Sequence, residues 1–377
     1  MNLSAPLPLV LLLFLSPASS QTVNPSVEDL TNRNSDFATR LYRVVASRTD
    51  ENVFLSPFTL SAGLMALLNQ GSEVDFRYYL FQTLRTIVLQ GGGNLQQGVA
   101  ILPAQGFQLS PSYLDLVQTK FGGHAENLVY TAPQEAVDII NRWVQQQTSD
   151  QVRELVTNLD PQTQLLLATA ASYQTQFTPY FNASLSQDER FYVDKYHVVM
   201  VTMMFRADKY FLAYDRLVKV GVLKLPMTDG AAMLVVLPDE DVDINTVEGE
   251  ITAEKIQAWI KQLKKTKLEV QLPRFMLERS YSLKDVLQTL DITQVFQDDA
   301  DTTNMGGAKG PRLTEVFHKS IVSVDERSDN IPEGGGVSVF SALPPRLTIN
   351  RPFIFIIYQP TTGNLLFMGR VVDPTKK

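Results

Sequence analysis

The chain carries three histidines, and they limit the chemistry it can perform: His124, His197 and His318. A Ser–His–Asp hydrolase would need one of them as its general base. The nucleophile elbow G-x-S-x-G is absent, because the stretch GVSVF at 336–340 begins like one but ends on phenylalanine. No HExxH, EF-hand or His-rich pattern occurs, and there is no cysteine. We therefore predict a protein that is not an enzyme and that holds neither a metal nor a cofactor.

The stretch most typical of a functional site runs from Phe317 to Pro352. It opens with the apolar run FHKSIVSVDER and ends with RLTINRPFIFIIY, both typical of buried strands. Between them lies SDNIPEGGGVSVFSALPP, which is rich in glycine and proline. Long loops inside compact domains are uncommon and often functional. We predict an exposed functional loop between two strands.

Composition narrows the classes of protein. Of 377 residues, 44% are hydrophobic and 19% charged, which is enough for a large core, and the net charge of -7 argues against nucleic acid as a partner. Residues 1–20 combine an apolar run with small residues before Gln21, the pattern of a signal peptide, and no later stretch is apolar enough to span a membrane. We expect a secreted glycoprotein with Asn182, in the sequon Asn182-Ala183-Ser184, as its glycosylation site.

The chain has no linker or internal repeat, and helical and strand-like patterns alternate along it. Helices are predicted over 34–45 (with Asn34 or Ser35 as N-cap), 58–68, 76–89, 112–121, 134–148, 253–263 and 283–290. Strands are predicted over 52–55, 164–172, 191–205 and 268–273, with a hairpin over 218–236 that turns at Met227-Thr228-Asp229-Gly230. One α+β domain over 34–377 follows, preceded by a loose leader at 21–33.

A basic cluster lies just before the strand predicted at 268–273. Its members are Lys261, Lys264, Lys265 and Lys267. We place them at the C-terminus of the helix over 253–263, where cations stabilise the helix dipole. Binding of a polyanion is the less favoured alternative.

Several segments in a fixed order resemble the serpin superfamily, over about Asn34 to Lys377, and within it the antitrypsin-like plasma branch. The segments are NVFLSP at 52–57, FYVD at 191–194, VTMM at 201–204, VLKLP at 222–226, LPRF at 272–275, VFHK at 316–319, NRPF at 350–353 and FMGRVVDP at 367–374. The resemblance implies three β-sheets, about nine helices and an exposed reactive-centre loop.

The resemblance also implies a mechanism and partners. Inhibitory members are suicide substrates for a serine protease, which cleaves the loop and is displaced as the loop inserts into the large sheet. A serine protease and a plasma protein cofactor are therefore the expected partners of a monomer, with neither nucleic acid nor membrane. Most of the helix that binds heparin in several relatives is absent or rebuilt here, so heparin activation is not carried over.

By match to the family, the hinge of the loop starts after Asp325-Glu326-Arg327. The hinge residues are Ser328, Asp329, Asn330, Pro332 and Glu333, together with Glu326 just before them. On insertion the inward-facing residues would be Asp329, Ile331, Glu333, Gly335, Val337, Val339 and Ser341. Two buried carboxylates would each cost several kcal/mol or take up a proton, and a proline is rarely tolerated in a central strand. The hinge is therefore expected to insert poorly.

The same match assigns two further groups of residues. Counting forward from the hinge places Ala342 before the scissile bond, whereas counting back from Pro344-Pro345 places Ser341 there, so the scissile region is Ser341, Ala342 and Leu343. The shutter residues are Ser56, Thr169 and His318, with Thr169 in place of the usual asparagine; a simple hydrogen-bonded core histidine is an equal interpretation of His318. The family's Phe-Lys-Gly-Lys-Trp is replaced by Tyr173-Gln174-Thr175-Gln176-Phe177.

Two functions remain open at this level. One is serine-protease inhibition with a poorly competent hinge. The alternative is a non-inhibitory carrier, ligand or protease substrate.

Overall fold

The computed structural model describes residues 27–67, 94–307, 310–327 and 341–377. The signal peptide, the helix expected at 76–89 and the hinge residues Ser328, Asp329, Asn330, Pro332 and Glu333 lie outside the described residues. No helix in the described part is both long and apolar enough to cross a membrane.

The described residues form seven α-helices: α1 Val27–Ala46, α2 Pro57–Leu67, α3 Pro111–Phe121, α4 Pro133–Gln147, α5 Ile244–Gly249, α6 Ala253–Gln262 and α7 Lys284–Thr289. Three short 3₁₀ turns accompany them, at Ala183–Leu185, Gln294–Phe296 and Thr303–Met305. This is fewer than the nine helices expected from the resemblance, over the part of the chain that is described.

The strands form two hydrogen-bonded sheets. The strands of the first are β1 Val53–Leu55, β5 Gln187–Tyr192, β6 Val198–Asp215, β7 Val220–Pro226, β8 Ala232–Pro238, β9 Lys264–Pro273, β12 Arg346–Thr348, β13 Phe353–Gln359 and β14 Asn364–Val371, in the order β1-β14-β13-β8-β7-β6-β9-β12 with β5 also on β6. The strands of the second are β2 Leu95–Pro103, β3 His124–Ala125, β4 Leu165–Gln174, β10 Phe275–Ser282 and β11 Glu315–Val324, in the order β10-β11-β4-β2-β3.

The expectation of three sheets is wrong for the described residues, and the length of β6 explains why. This strand has 18 residues and pairs with β5 over its first third, with β9 through its middle and with β7 at its end. Because β6 is so long, it pairs with one group of strands near its start and with another near its end. The two groups are therefore hydrogen-bonded into one nine-stranded sheet instead of forming two separate sheets.

Helix α1 begins earlier than expected. It starts at Val27, so residues 27–33 of the leader predicted at 21–33 are helical, and Asn34 and Ser35 are buried inside the helix rather than capping it. The first turn carries Glu28 and Asp29, which favour a helix N-terminus through the dipole. The prediction of a loop is wrong here because the polar residues at the start of this amphipathic helix have the composition of a loop.

The hairpin predicted over 218–236 is confirmed. Strands β7 and β8 pair antiparallel from Val220↔Pro238 to Pro226↔Ala232. Gly230 in the connecting turn has φ +83°, a conformation that favours glycine. This element was predictable because its turn chemistry is local.

The placement of the basic cluster at a helix end is wrong for three of its four lysines. Helix α6 ends at Gln262 with Lys261 in its last turn, whereas Lys264, Lys265 and Lys267 belong to strand β9. The strand starts four residues earlier than the apolar pattern indicated, because its first residues pair with β6 and remain exposed.

The core lies between the two sheets and around α2, whose residues are all buried. Strands β13 and β14 are buried along their whole length. Phe54 stacks on Phe355 and Phe367, with ring centroids 5.7 Å and 5.1 Å away. These contacts link the short first strand to the C-terminal hairpin.

One buried cation connects the N-terminal helix to this hairpin. Arg370 on β14 is 1% exposed, and an Nη donates to both carboxylate oxygens of Glu248 at 2.9 Å and 3.1 Å. The same guanidinium donates to the backbone carbonyls of Ala46, the last residue of α1, and of Thr49 and Glu51 just after it. Five acceptors thus converge on a fully desolvated charge.

We expect Arg370→Ala to lower the free energy of unfolding by about 3–5 kcal/mol, because it leaves the Glu248 carboxylate buried without its cation. Urea denaturation at neutral pH measures the effect. The matched control is Arg33→Ala, which removes an exposed ion pair with Asp29 and should cost less than about 1 kcal/mol. Equal losses in the two variants would contradict this account of Arg370.

Candidate functional site

The centre of the candidate site is the contact between strands β4 and β11. They are neighbours in the five-stranded sheet and run parallel, paired over nine residue pairs from Leu166↔Glu315 to Gln174↔Ser323. The chain that follows β11 would run antiparallel to both strands if it turned back between them. Two parallel neighbours can therefore accept one further strand with correct polarity on each side.

The structure brings the three predicted shutter residues together beneath this contact. His318 on β11 is 1% exposed. Its Nε2 accepts a hydrogen bond from the backbone N–H of Ser56 at 2.9 Å, and its Nδ1 lies 2.8 Å from the hydroxyl of Thr169 on β4. The imidazole thus bridges the two strands and the start of α2.

These contacts assign the tautomer of His318. Because a backbone N–H can only donate, Nε2 must carry no proton, and the neutral ring carries its proton on Nδ1. That proton is donated to Thr169, whose hydroxyl lies 3.3 Å from the carbonyl oxygen of Phe317 and can donate to it. Burial lowers the pKa of His318 from 6.5 to about 3, so the ring is neutral at physiological pH.

Ser56 anchors the other side of the same network. Its hydroxyl donates to the carbonyl of Leu366 at 3.1 Å and lies 2.9 Å from the hydroxyl of Thr59. Thr59 in turn donates to Gln97 on β2 at 2.7 Å. The hydrogen bonds therefore run from β2 across α2 to β11 and to the C-terminal hairpin.

Polar contacts connect β4 and β11 at the end of the pair that leads into the loop. The Gln174 amide donates to a carboxylate oxygen of Asp325 at 3.1 Å, and the Thr175 hydroxyl donates to the carbonyl of Ser323 at 3.1 Å. Phe177, at the position of the family's tryptophan, is buried and packs edge-on against Phe181 at 5.4 Å. The substituted segment is thus fully integrated into the fold.

The last hinge residue that the structure describes is held by an ion pair. Glu326 accepts two hydrogen bonds from Arg274, at 2.7 Å and 2.8 Å, and one from the Ser186 hydroxyl at 2.5 Å. Burial raises the pKa of Glu326, but the hydrogen bonds from Arg274 and Ser186 outweigh it and hold the pKa below its usual range. The loop therefore begins at a fixed, charged point.

The predicted scissile region lies at the surface. Ser341, Ala342 and Leu343 are all exposed, and Leu343 is 90% exposed. Two residues later the chain is fixed again: the Pro345 carbonyl accepts from the backbone N–H of Glu269 at 3.0 Å. The scissile region is therefore accessible to a partner, and the chain is fixed to β9 directly after it.

Strand β9 and the residue after it hold both ends of the loop. Arg346 on β12 pairs with Glu269 on β9 at 2.8 Å, whereas Arg274, which holds Glu326, follows β9 directly. Positions 269 and 274 lie about 17 Å apart along an extended chain. The chain from Glu326 to Arg346 can span at most about 70 Å, so it is far longer than its anchors require.

No hydrolytic triad forms among the described residues. His197 lies 2.6 Å from Asp194 in an exposed turn, and His124 lies 3.3 Å from Glu126. His318 contacts the backbone rather than the hydroxyl of Ser56. The described residues also contain no group of three or more side chains that could hold a metal ion.

Sequence reasoning missed the residues that anchor the loop. Arg274, Ser186 and Glu269 come from distant parts of the chain, and nothing local marks them as partners of Glu326 and Arg346. The one signal was LPRF at 272–275, which contains Arg274. This segment supported the resemblance to the family, but the sequence alone assigned no structural role to Arg274.

Three features define the class of protein: the fold, the parallel strand pair that can accept a further strand, and the exposed segment of the loop. A family profile described as Serpin (serine protease inhibitor) matches residues 74–374. The chain belongs to the serpin family, which confirms the resemblance drawn from its motifs.

Two relatives illustrate the relation. The chain is 27% identical over 371 residues to the protein Z-dependent protease inhibitor of Mus musculus, covering 92% of this chain and 83% of that protein. It is 28% identical over 378 residues to the leukocyte elastase inhibitor of Bos taurus, covering 92% of this chain and all of that protein.

Solved structures agree with these relatives. The mouse protein Z-dependent protease inhibitor superposes with a TM-score of 0.83 at 27% identity, covering 92% of this chain and 98% of that one. Human thyroxine-binding globulin, complexed with its hormone, superposes with a TM-score of 0.85 at 25% identity, covering 92% and 99%.

The His318 network predicts how stability depends on pH. The unfolded chain binds a proton at this histidine below pH 6.5, whereas the folded protein does so only near pH 3. Stability is therefore fully present above pH 6.5 and is lost as the pH falls toward 3, by about 2 kcal/mol at pH 5. Denaturant titrations at pH 7 and pH 5 measure the loss.

The comparison variant is His318→Gln, whose amide oxygen can still accept from Ser56 but which does not titrate. Its pH 7 to pH 5 difference should be smaller than that of the wild type by about the same 2 kcal/mol. His197→Gln, at an exposed position, should behave like the wild type. Parallel pH profiles for wild type and His318→Gln would refute the assignment.

Proposed function

We propose that this protein is a secreted serpin that presents Ser341–Leu343 to a serine protease and, once cleaved, inserts its loop too slowly for efficient inhibition. The proposal rests on one observation. The scissile region is exposed while β4 and β11 are paired directly over nine residue pairs. A protease can therefore reach the loop before the two strands have separated.

The faces that would receive the loop explain the slow insertion. The core-facing side chains of the two strands are Leu165, Leu167, Thr169, Ala171 and Tyr173 on β4, and Val316, His318, Ser320, Val322 and Val324 on β11. None of them is a lysine or arginine, and His318 is neutral. If the hinge follows the family pattern, Asp329 and Glu333 would enter this surface without a cation.

The cationic residue of β11 lies on the other face. Lys319 donates to the backbone carbonyl of Glu154 at 2.7 Å and pairs with Glu278 on β10 at 2.8 Å. Lys319 is already bound to these partners, and its side chain lies on the face of the sheet opposite His318. Insertion would therefore require both carboxylates to be protonated or to be buried at a cost of several kcal/mol each.

Secretion, glycosylation and partners belong to the same proposal. Residues 1–20 have the pattern of a signal peptide, and Asn182 is exposed at the start of a 3₁₀ turn. The name of one relative includes dependence on protein Z, which supports a plasma protein as cofactor. We further propose that the protein is a monomer.

The decisive experiment cleaves the loop with a panel of serine proteases. We expect the wild type to be cleaved with little SDS-resistant complex and little rise in melting temperature. The triple variant D329A/P332A/E333A should form SDS-resistant complexes and gain a large rise on cleavage, since it removes both carboxylates and the proline from the inserting strand.

Asn330→Ala is the matched control, because alternation along the inserting strand places residue 330 outward. It should behave like the wild type. Near one-to-one SDS-resistant complexes with the wild type would overturn the slow-insertion proposal. Failure of the triple variant to gain complexes would show that the hinge is not what limits insertion.

A carrier function is the second candidate. It is favoured by the similarity to thyroxine-binding globulin over nearly the full length of both chains. Isothermal titration with thyroxine tests it directly. Saturable one-site binding would support a carrier, and the absence of heat at high protein concentration would exclude this ligand.

A further inference from the structure

A cavity of about 330 Å³ lies at the end of the β4–β11 contact that is opposite to the loop. Its walls come from the segment between α4 and β4, from the start of α7 and from the start of β11. Six of its lining residues are Asn158, Leu159, Asp160, Lys284, Glu315 and Phe317. Because Glu315 is paired with Leu166 in the first of the nine residue pairs, the cavity adjoins the strand pair itself.

Two apolar side chains form one wall of the cavity. Phe317 and Leu159 are half-buried and pack against a hydrophobic cluster that includes Ile140 and Trp143 of α4. Phe317 lies one residue before His318 on β11 and therefore on the opposite face of the sheet. An apolar group that entered the cavity would be removed from water against these two side chains.

Lys284 brings a positive charge to the cavity. It is the first residue of α7 and is half-buried. Its Nζ lies 5.8 Å from the centre of the Phe296 ring, and the described residues give it no carboxylate partner. Since a ring face holds an ammonium group only weakly near the surface, Lys284 remains available to the carboxylate of a ligand.

Glu315 brings a negative charge to the same cavity. The carboxylate is half-buried, and its Oε1 accepts from the Ser282 hydroxyl at 2.6 Å and from the backbone N–H of Val316 at 3.1 Å. Both hydrogen bonds use Oε1, so Oε2 is left as an acceptor. Asp160 is exposed and adds a second carboxylate at the rim.

The two half-buried charges are close together but unpaired. The backbone N–H of Leu283 donates to the carbonyl of Val316 at 2.8 Å. Lys284 and Glu315 each lie one residue from this hydrogen bond, yet they do not form an ion pair with each other. A ligand with both charges would satisfy the two groups at once.

The wall formed by residues 157–163 is fixed on both sides. Asn141 on α4 accepts from the backbone N–H of Val156 at 3.1 Å, and the backbone N–H of Gln164 donates to the Thr314 hydroxyl at 3.0 Å. The cavity is therefore formed before any ligand arrives, which lowers the entropic cost of binding.

We propose that this cavity binds a small zwitterion with an apolar group, the chemistry of a free apolar α-amino acid. The carboxylate of the ligand pairs with Lys284, and its ammonium pairs with Glu315. Its apolar side chain lies against Leu159 and Phe317. A volume of about 330 Å³ is at the lower end for small-molecule sites, and the carboxylates of Glu315 and Asp160 disfavour a polyanion.

The test titrates the full-length secreted protein with L-leucine and follows the ligand by nuclear magnetic resonance. We expect saturable binding with a dissociation constant of order 1 mM, since so small a ligand makes few contacts. Three analogues each lack one group: 3-methylbutylamine the carboxylate, 4-methylpentanoate the ammonium and glycine the apolar side chain. Each should bind about tenfold or more weakly.

Two variants assign the charges to their residues. Lys284→Gln should bind L-leucine about tenfold more weakly and should no longer distinguish it from 3-methylbutylamine. Glu315→Gln keeps an oxygen that can accept from Ser282 and Val316, and it should no longer distinguish L-leucine from 4-methylpentanoate. A general loss of folding would not produce this reciprocal pattern.

The matched controls are Lys195→Gln and Glu135→Gln, which remove exposed charges elsewhere and should bind L-leucine as the wild type does. No saturable binding by the wild type, or equal affinity for L-leucine and its three analogues, would show a cavity filled by solvent alone and overturn the proposal. Wild-type selectivity in both Lys284→Gln and Glu315→Gln would overturn it as well.

Hydrogen exchange locates the bound ligand. L-leucine should slow amide exchange in residues 157–163 and 314–317, because binding to the folded form suppresses local opening around the cavity. Exchange in α6, which does not line the cavity, should be unchanged. Protection that is confined to other parts of the chain would place the ligand elsewhere and contradict the assignment.

Discussion

The parallel contact between β4 and β11 is the constraint on which the rest of the site depends. Its nine residue pairs keep the five-stranded sheet closed, and the fully buried imidazole of His318 binds both strands to the start of α2. A strand can enter only by replacing every hydrogen bond between them. The contact therefore stabilises the five-stranded sheet as it stands and opposes the entry of any further strand between β4 and β11.

Strand β9 has two roles in positioning the loop. Its backbone pairs with β12 and fixes the end of the loop, and its last residues lead to Arg274, which fixes the beginning. A change in the position of this strand would move the two loop anchors together, because both are attached to one backbone.

The sequence allowed prediction of those parts of the structure whose causes are local. The hairpin of β7 and β8 was predictable from Asp229-Gly230, and the family from motifs that keep their order. The start of α1 was not, because polar residues such as Asn34 become buried only through tertiary contacts. Glu326 was assigned to the hinge by resemblance, but its partner Arg274 required the fold.

The burial of the C-terminal hairpin has a consequence for the cleaved protein. A cut between Ser341 and Leu343 divides the chain, and the smaller piece contains β12, β13 and β14. Strand β13 lies between β14 and β8, every residue of both hairpin strands is buried, and Arg370 binds the backbone carbonyl of Ala46 at the end of α1. The two polypeptides therefore remain one noncovalent body, although no disulfide joins them. The short piece could leave only if this buried hairpin separated from β8 and β1, so a nicked molecule would stay together for as long as it stays folded.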